Sequence, residues 1–227
     1  DDQAGYNAHF VYPRTGGIEA FASRIAGQLP VAKVVLSTRP VRLDLRNKVC
    51  TLSNGTMVRY EHLVSSVPLP ELLKFTVELP CEVKDAAERL RCTSLRYLCY
   101  GIRRPRVLDD IQWLYVPEAK YPFYRIGSFS NAVASLAPDG CSSLYVEVAN
   151  NQQATDGEVK ASVRQFLREH DWLGDDGEVE VEEVRHIRYG YVVFDEHYFP
   201  AKQTILGHLQ DQSVASLGRY GAWVYSS

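Results

Sequence analysis

The stretch Trp113–Asn131, WLYVPEAKYPFYRIGSFSN, decides how this chain is read. Residues 112–116 and 123–129 are dense in aromatic and aliphatic side chains, which favour extended backbone. They read as two strands. Working outward, Thr93–Ile102 and Ser143–Val148 carry the same signal. Beyond them, Thr155 and Glu158 form a Thr-x-x-Glu capping box. The helix it opens turns Val159, Val163, Phe166 and Leu167 inward. Glu178–Val184 alternates strictly. Val179 and Val181 are expected on one face of a half-buried strand, with Glu180 and Glu182 on the other. The centre of the chain is therefore expected to be an antiparallel sheet with flanking helices.

Upstream, Gly16-Gly17 opens a helix. Ile18, Phe21, Ala22, Ile25, Ala26 and Leu29 share one apolar face, and Pro30 stops it. Short β-rich runs follow at 33–36, 40–45, 48–52 and 57–60. Asn47-Lys48 and Asn54-Gly55 supply turn chemistry between them. These predict an antiparallel meander. His62–Val67 is a further strand. Pro68 and Pro70 suit the first turn of a short helix reaching Phe75. Residues 82–91 and 201–211 read as helices, and 213–225 as a last strand and turn. Strands and helices mix without a regular βαβ order, which gives an α+β fold. Neither an internal repeat nor a low-complexity tract interrupts it.

Composition narrows the function. The 227 residues are 45% hydrophobic and 23% charged, enough for a proper core without staples. The net charge of −3 gives no basic footprint for nucleic acid. No apolar run approaches the ~18 residues of a membrane span. The opening residues DDQAGYNAHFVYPR lack the pattern of a signal peptide. Five scattered cysteines form no CxxC pair, and six histidines show no metal spacing. Thiols in a reducing cytoplasm are the expectation. The sequence contains no GxGxxG, GxxxxGK[ST] or HExxH, so no loop here cradles a phosphate by itself.

Five segments in order carry a resemblance. They are YPRTGGI (12–18), Val41 in its short strand, LVSSVPLPEL (63–72), WLYVPEAKYPFYRIGSFSN (113–131) and GRYGAWVYSS (218–227). This order resembles FAD-dependent enzymes of the amine oxidase and protoporphyrinogen oxidase type. The last two segments are most similar to UDP-galactopyranose mutases. The resemblance spans nearly the whole chain but only the downstream half of a family member, so a piece of a longer flavoprotein is expected. It implies a partial FAD-binding domain at 1–70 and 213–227, and a substrate-binding domain at 71–212.

The resemblance implies site residues too. Tyr115, Arg125, Tyr191, Arg219 and Tyr225 would bind a nucleotide-sugar. Gly16, Gly17, Val41, Ser66 and Arg219 would meet FAD. No side chain here need be a general acid or base, because reduced flavin N5 would open and reclose the sugar ring. The chemistry agrees. A diphosphate suits the planar fork of arginine, and tyrosine hydroxyls add neutral donors. Departures bear on the sugar: Ala132 follows Asn131 where a site tyrosine is usual, and Tyr189 and Val192 flank Gly190-Tyr191 in place of histidine and proline.

Blander readings stand beside these. Arg125 and Arg219 read without the resemblance are surface arginines, and the three tyrosines are strand packing. Arg103, Arg104 and Arg106 form a solvated loop, and the acidic run 175–183 a wet face. Trp113, Trp172 and Trp223 are core or cleft wall. Two other functions remain open. One is a FAD-dependent oxidoreductase with an apolar cleft, where unpaired arginines are costly. The other is an inert binding module holding no FAD.

Overall fold

The computed structural model describes residues 11–29, 34–149 and 153–225. They fall into two compact units, one from within 1–32 and 95–187, the other from within 33–94 and 188–227. In the second unit the helices after residue 68 share a core with the meander.

The first unit is built on a five-stranded antiparallel sheet. Its strands are β5 (Leu95–Ile102), β6 (Trp113–Tyr115), β7 (Arg125–Ser128), β8 (Ser142–Ala149) and β9 (Val179–Ile187), in the order β6-β7-β8-β5-β9. Alternation sorts each strand into two faces. Leu98, Tyr100 and Ile102 of β5, Ile126 of β7 and Leu144, Val146 and Val148 of β8 share a core with Val159, Val163, Phe166 and Leu167 of helix α5 (Asp156–Glu169). The expected capping box starts this helix: Thr155 Oγ1 accepts the Glu158 N–H, and Glu158 Oε2 accepts the Thr155 N–H at 2.7 Å. Buried Arg96 donates to Asp156 and to the Ala154 carbonyl, tying β5 to the helix start.

The opposite face of the sheet carries the odd-numbered residues, and these form the site described below. In β9 the expected phase is wrong. A register shift between Gly101 and Ile102 makes Glu180 an extra residue, and a bulge of that kind re-aims every side chain beyond it. Val179 and Val184 pack against the core, whereas Val181 is 46% exposed. Glu182 turns toward α5 and pairs with Lys160 and Arg164. The acidic run is thus not simply wet, since Asp176 also pairs with Arg164 and Arg168. Arg103, Arg104 and Arg106 sit in a loop and pair with Glu180, Glu178 and Asp110.

Helix α1 (Glu19–Ala26) forms as the spacing predicts, but it has no buried residue. Ile18, Phe21, Ile25 and Leu29 are all at least half exposed. It ends at Gly27, and the expected stop at Pro30 lies outside the described residues.

The second unit holds the meander β1 (Pro40–Asp44), β2 (Val49–Leu52) and β3 (Met57–Arg59), antiparallel in that order. Its turns fall where expected, with Lys48 and Gly55 at positive φ. Residues 34–36 are not a strand: they have no pairing partner in the described sheets and are exposed. Position 33 lies outside the described residues. Strand β4 (Leu63–Ser65) does not extend the meander but pairs in parallel with β10 (Val214–Ser216). Helices α2 (Leu69–Phe75), α3 (Cys81–Arg89) and α6 (Tyr198–Asp211) complete the unit. Pro70 sits in the first turn of α2, where a missing N–H costs nothing. Leu43, Leu72, Val83, Ile205 and Trp223 lie in one core. The expected strand and turn over 213–225 are both present. After β10 a single helical turn follows, Gly218–Gly221.

Candidate active site

In the first unit the open face of the sheet lines a cavity of about 410 Å³. Register explains which residues meet there. Tyr115, Arg125, Glu147 and Tyr97 are successive cross-strand partners on β6, β7, β8 and β5. Trp113, Gly127, Tyr145 and Cys99 form the next row. Arg125 sits between the two rows. Its Nη1 is 3.3 Å from Glu147 Oε1, and its guanidinium carbon lies 5.6 Å, 5.7 Å and 5.5 Å from the rings of Trp113, Tyr115 and Tyr145. A cation held over ring faces and paired to a carboxylate tolerates partial burial that a lone charge would not. Glu147 is itself held, since the Tyr124 hydroxyl donates to its Oε2 at 2.6 Å.

Tyr145 stacks on Tyr97 with centroids 5.8 Å apart and packs at a tilt against Phe129 at 4.7 Å. Burial pushes the Tyr97 phenol up, and pushes up that of Tyr145 while nearby Arg125 opposes the shift. Both hydroxyls therefore stay protonated and serve as neutral donors. Gln112, Tyr12 and Leu136 border the same cavity. Gly17 approaches this rim: a β-carbon there would stand 3.7 Å from Leu136 and 3.8 Å from the Tyr12 hydroxyl. Gly16 and Gly17 both have positive φ, 75° and 62°, a conformation glycine adopts without strain. The Tyr12 hydroxyl accepts the Ile18 N–H, and Ser135 donates to the Arg14 carbonyl, which fixes the loop.

The second unit holds another arginine among tyrosines. The Arg219 guanidinium carbon is 5.6 Å, 5.5 Å and 5.2 Å from the rings of Tyr191, Tyr220 and Tyr225. Its Nη2 donates to the Gly190 carbonyl at 3.4 Å, and Tyr220 donates to the same oxygen. The turn Gly218–Gly221 presents it at the carboxyl ends of the parallel strands β4 and β10, beside Ser66. There Gly221 packs so closely that a β-carbon would meet the Ser65 carbonyl at 3.1 Å. Val41 is the unpaired residue of a bulge between Pro40 and Arg42, so its backbone lies outside the ladder.

The structure thus brings Tyr115 and Arg125 together in one unit, and Tyr191, Arg219 and Tyr225 together in the other. Sequence reasoning missed Tyr97, Tyr124, Tyr145 and Glu147. The signal for two of them was present: in SLYVEVA, alternation puts Tyr145 and Glu147 on one face. Trp113 is cleft wall as expected, and Trp223 is fully buried. Among the described residues no group of three His, Cys, Asp or Glu side chains could hold a metal ion. No helix there is long and apolar enough to cross a membrane.

The chain belongs to the flavin containing amine oxidoreductase family, whose model matches residues 3–219. It is similar in structure to a reduced UDP-galactopyranose mutase, with a TM-score of 0.86 and 27% identity over 97% of this chain and 50% of that one. An Exiguobacterium sp. 255-15 protein assigned as a protoporphyrinogen oxidase shares the fold at a TM-score of 0.68 and 15% identity, over 88% of this chain and 45% of that one. Wild-type putrescine oxidase bound to putrescine shares it at 0.57 and 16%, over 78% and 41%. The chain spans about half the length of the mutase it matches.

Proposed function

We propose that this chain forms the substrate side and part of the cofactor side of an FAD-dependent enzyme that interconverts ring sizes of a UDP-sugar. The observation that carries the reading is Arg125, a half-buried guanidinium surrounded by Trp113, Tyr115 and Tyr145 in a chain 27% identical to a mutase. Such a group suits a diphosphate, and the flanking rings suit the apolar face of a sugar. In the other unit, Arg219 among Tyr191 and Tyr225 is a guanidinium of the same kind, suited to an anionic group. In this reading residues 1–70 and 213–227 serve the cofactor and 71–212 the substrate.

The chain's own residues fit a flavin dinucleotide. Ser66 and Arg219 stand where parallel strands end, the usual place for a ligand in such sheets. The bulge leaves the Val41 backbone outside the ladder for an adenine edge. Gly16 and Gly17 permit close backbone approach. When bound and reduced, the flavin supplies the nucleophile. The side chains bind, orient and neutralise charge. All five cysteines are free thiols, which supports a reducing, cytoplasmic setting.

The second reading is an oxidoreductase acting on an apolar or amine substrate. The aromatic rings of the cavity favour it, and the polar Arg125–Glu147 pair in their midst, which an apolar substrate would cover without hydrogen-bonding to it, disfavours it. Chromatography after adding UDP-galactofuranose to the flavin-loaded protein tests the choice. The mutase reading expects UDP-galactopyranose only after dithionite reduction. Absence of product under reduction, with flavin bound, rejects it.

A further inference from the structure

The Arg125 site is charge-compensated from within. Glu147 retains only 10% side-chain exposure and Arg125 23%, and their closest atoms are 3.3 Å apart. Tyr124 donates to the second oxygen of Glu147, so the carboxylate is anchored on the side away from the guanidinium. Both residues line the same cavity. A ligand anion entering it meets a neutral pair, not a bare cation.

Resting on the reading of Arg125 as an anion-binding residue, we propose that Glu147 is a positioning and specificity residue, the resident counter-ion of that arginine. It has two effects. It holds the guanidinium against the three rings before any ligand arrives. It also competes with the ligand, because two negative groups near one guanidinium repel strongly in a site of low dielectric. A monoanion gains little by approaching a guanidinium already paired to a buried carboxylate. A diphosphate brings more charge and more acceptor oxygens, and it gains against that pair. The pair therefore selects polyanionic ligands at the expense of absolute affinity. Register supports a built arrangement: Arg125 and Glu147 are direct cross-strand partners, and Tyr124 precedes Arg125 in the chain with its N–H bonded to the Glu147 carbonyl.

The test is calorimetric titration of the 227-residue chain with UDP as the probe. Glu147→Gln keeps the shape but removes the charge and exchanges one acceptor oxygen for an amide donor. It is expected to tighten UDP binding by about tenfold, and to tighten acetate by a larger factor, narrowing the discrimination. Tyr124→Phe loosens the anchor but leaves the charge, and UDP affinity should stay within about twofold of wild type. Arg125→Gln should weaken UDP binding by at least about tenfold. A purely structural role for Glu147 predicts weaker binding in Glu147→Gln, and weaker or unchanged binding in a folded variant overturns the counter-ion role. A change in Tyr124→Phe as large as that in Glu147→Gln overturns it too, because packing would then explain both. Unchanged affinity in Arg125→Gln instead overturns the anion-binding reading of Arg125 itself. No detectable UDP binding by any of the four proteins overturns both.

Discussion

Tyr145 lies flat across Gly127, its cross-strand partner, so closely that a β-carbon on the glycine would stand 2.4 Å from the ring Cζ. The glycine is a seat for the ring. With Tyr145 seated there, the ring can stack on Tyr97, pack at a tilt against Phe129 and face Arg125. Gly127→Ala is expected to push the ring out of place and cost about 1–3 kcal/mol, as overpacking does. Denaturant titration measures the loss. Weaker ligand binding at Arg125 should accompany it, and unchanged stability would show that the ring moves aside freely.

Asn131 closes the loop after β5. Its side-chain NH2 shares two hydrogens among the carbonyls of Val107, Asp109 and Ile111, all within 3.0 Å. The loop contains Arg106, Leu108 and Asp109 at positive φ, a strained arrangement for non-glycine residues. Asn131→Ala leaves those carbonyls without their donor and should destabilise by about 1–3 kcal/mol. Hydrogen exchange should show residues 107–111 opening faster, and unchanged protection there would contradict the role.

The carboxyl of Glu169 is held down to about 2 by the Tyr121 hydroxyl, Lys120 and Gln165. The ordinary glutamate value is near 4.5. A carboxyl whose folded pKa is depressed contributes stability above its unfolded pKa and loses it as pH falls toward the folded one. The contribution should therefore be complete above about pH 4.5 and fade toward about pH 2. Thermal melts across that window should fall less steeply for Glu169→Gln than for wild type. Parallel curves would assign the acid sensitivity elsewhere. The exposure of the pair keeps the effect modest and salt-sensitive.

The capping box of α5 gives a further check. Thr155→Ala removes the acceptor for the Glu158 N–H and should cost about 0.5–2 kcal/mol in denaturant titration.

How much was legible in the sequence depended on the range of the interaction. The capping box at Thr155, the proline-opened helix after Val67 and the turns at Lys48 and Gly55 are local, and they fall where the residues place them. The phase of β9 did not, because one inserted residue, Glu180, reverses the faces and only the pairing with β5 reveals it. Residues 34–36 have the composition of a strand, but pairing comes from elsewhere in the chain. Tyr115 and Arg125 in one unit and Arg219 in the other were marked as candidates by their segments. Glu147 was not, since its meaning lies in a partner 22 residues away across a sheet register. Parallel pairing of β4 with β10 joins residues about 150 apart, and no local pattern encodes it.

Arg125 is proposed to bind the charged portion of a UDP-sugar. The most direct measurement is turnover of UDP-galactofuranose by the dithionite-reduced, flavin-loaded protein, comparing wild type with Arg125→Ala. UDP-galactopyranose is expected from the reduced wild type and none from the oxidised form, with a loss of kcat/KM of about 100-fold or more in the variant. Equal turnover by Arg125→Ala, or product formed without reduction, would contradict the proposal.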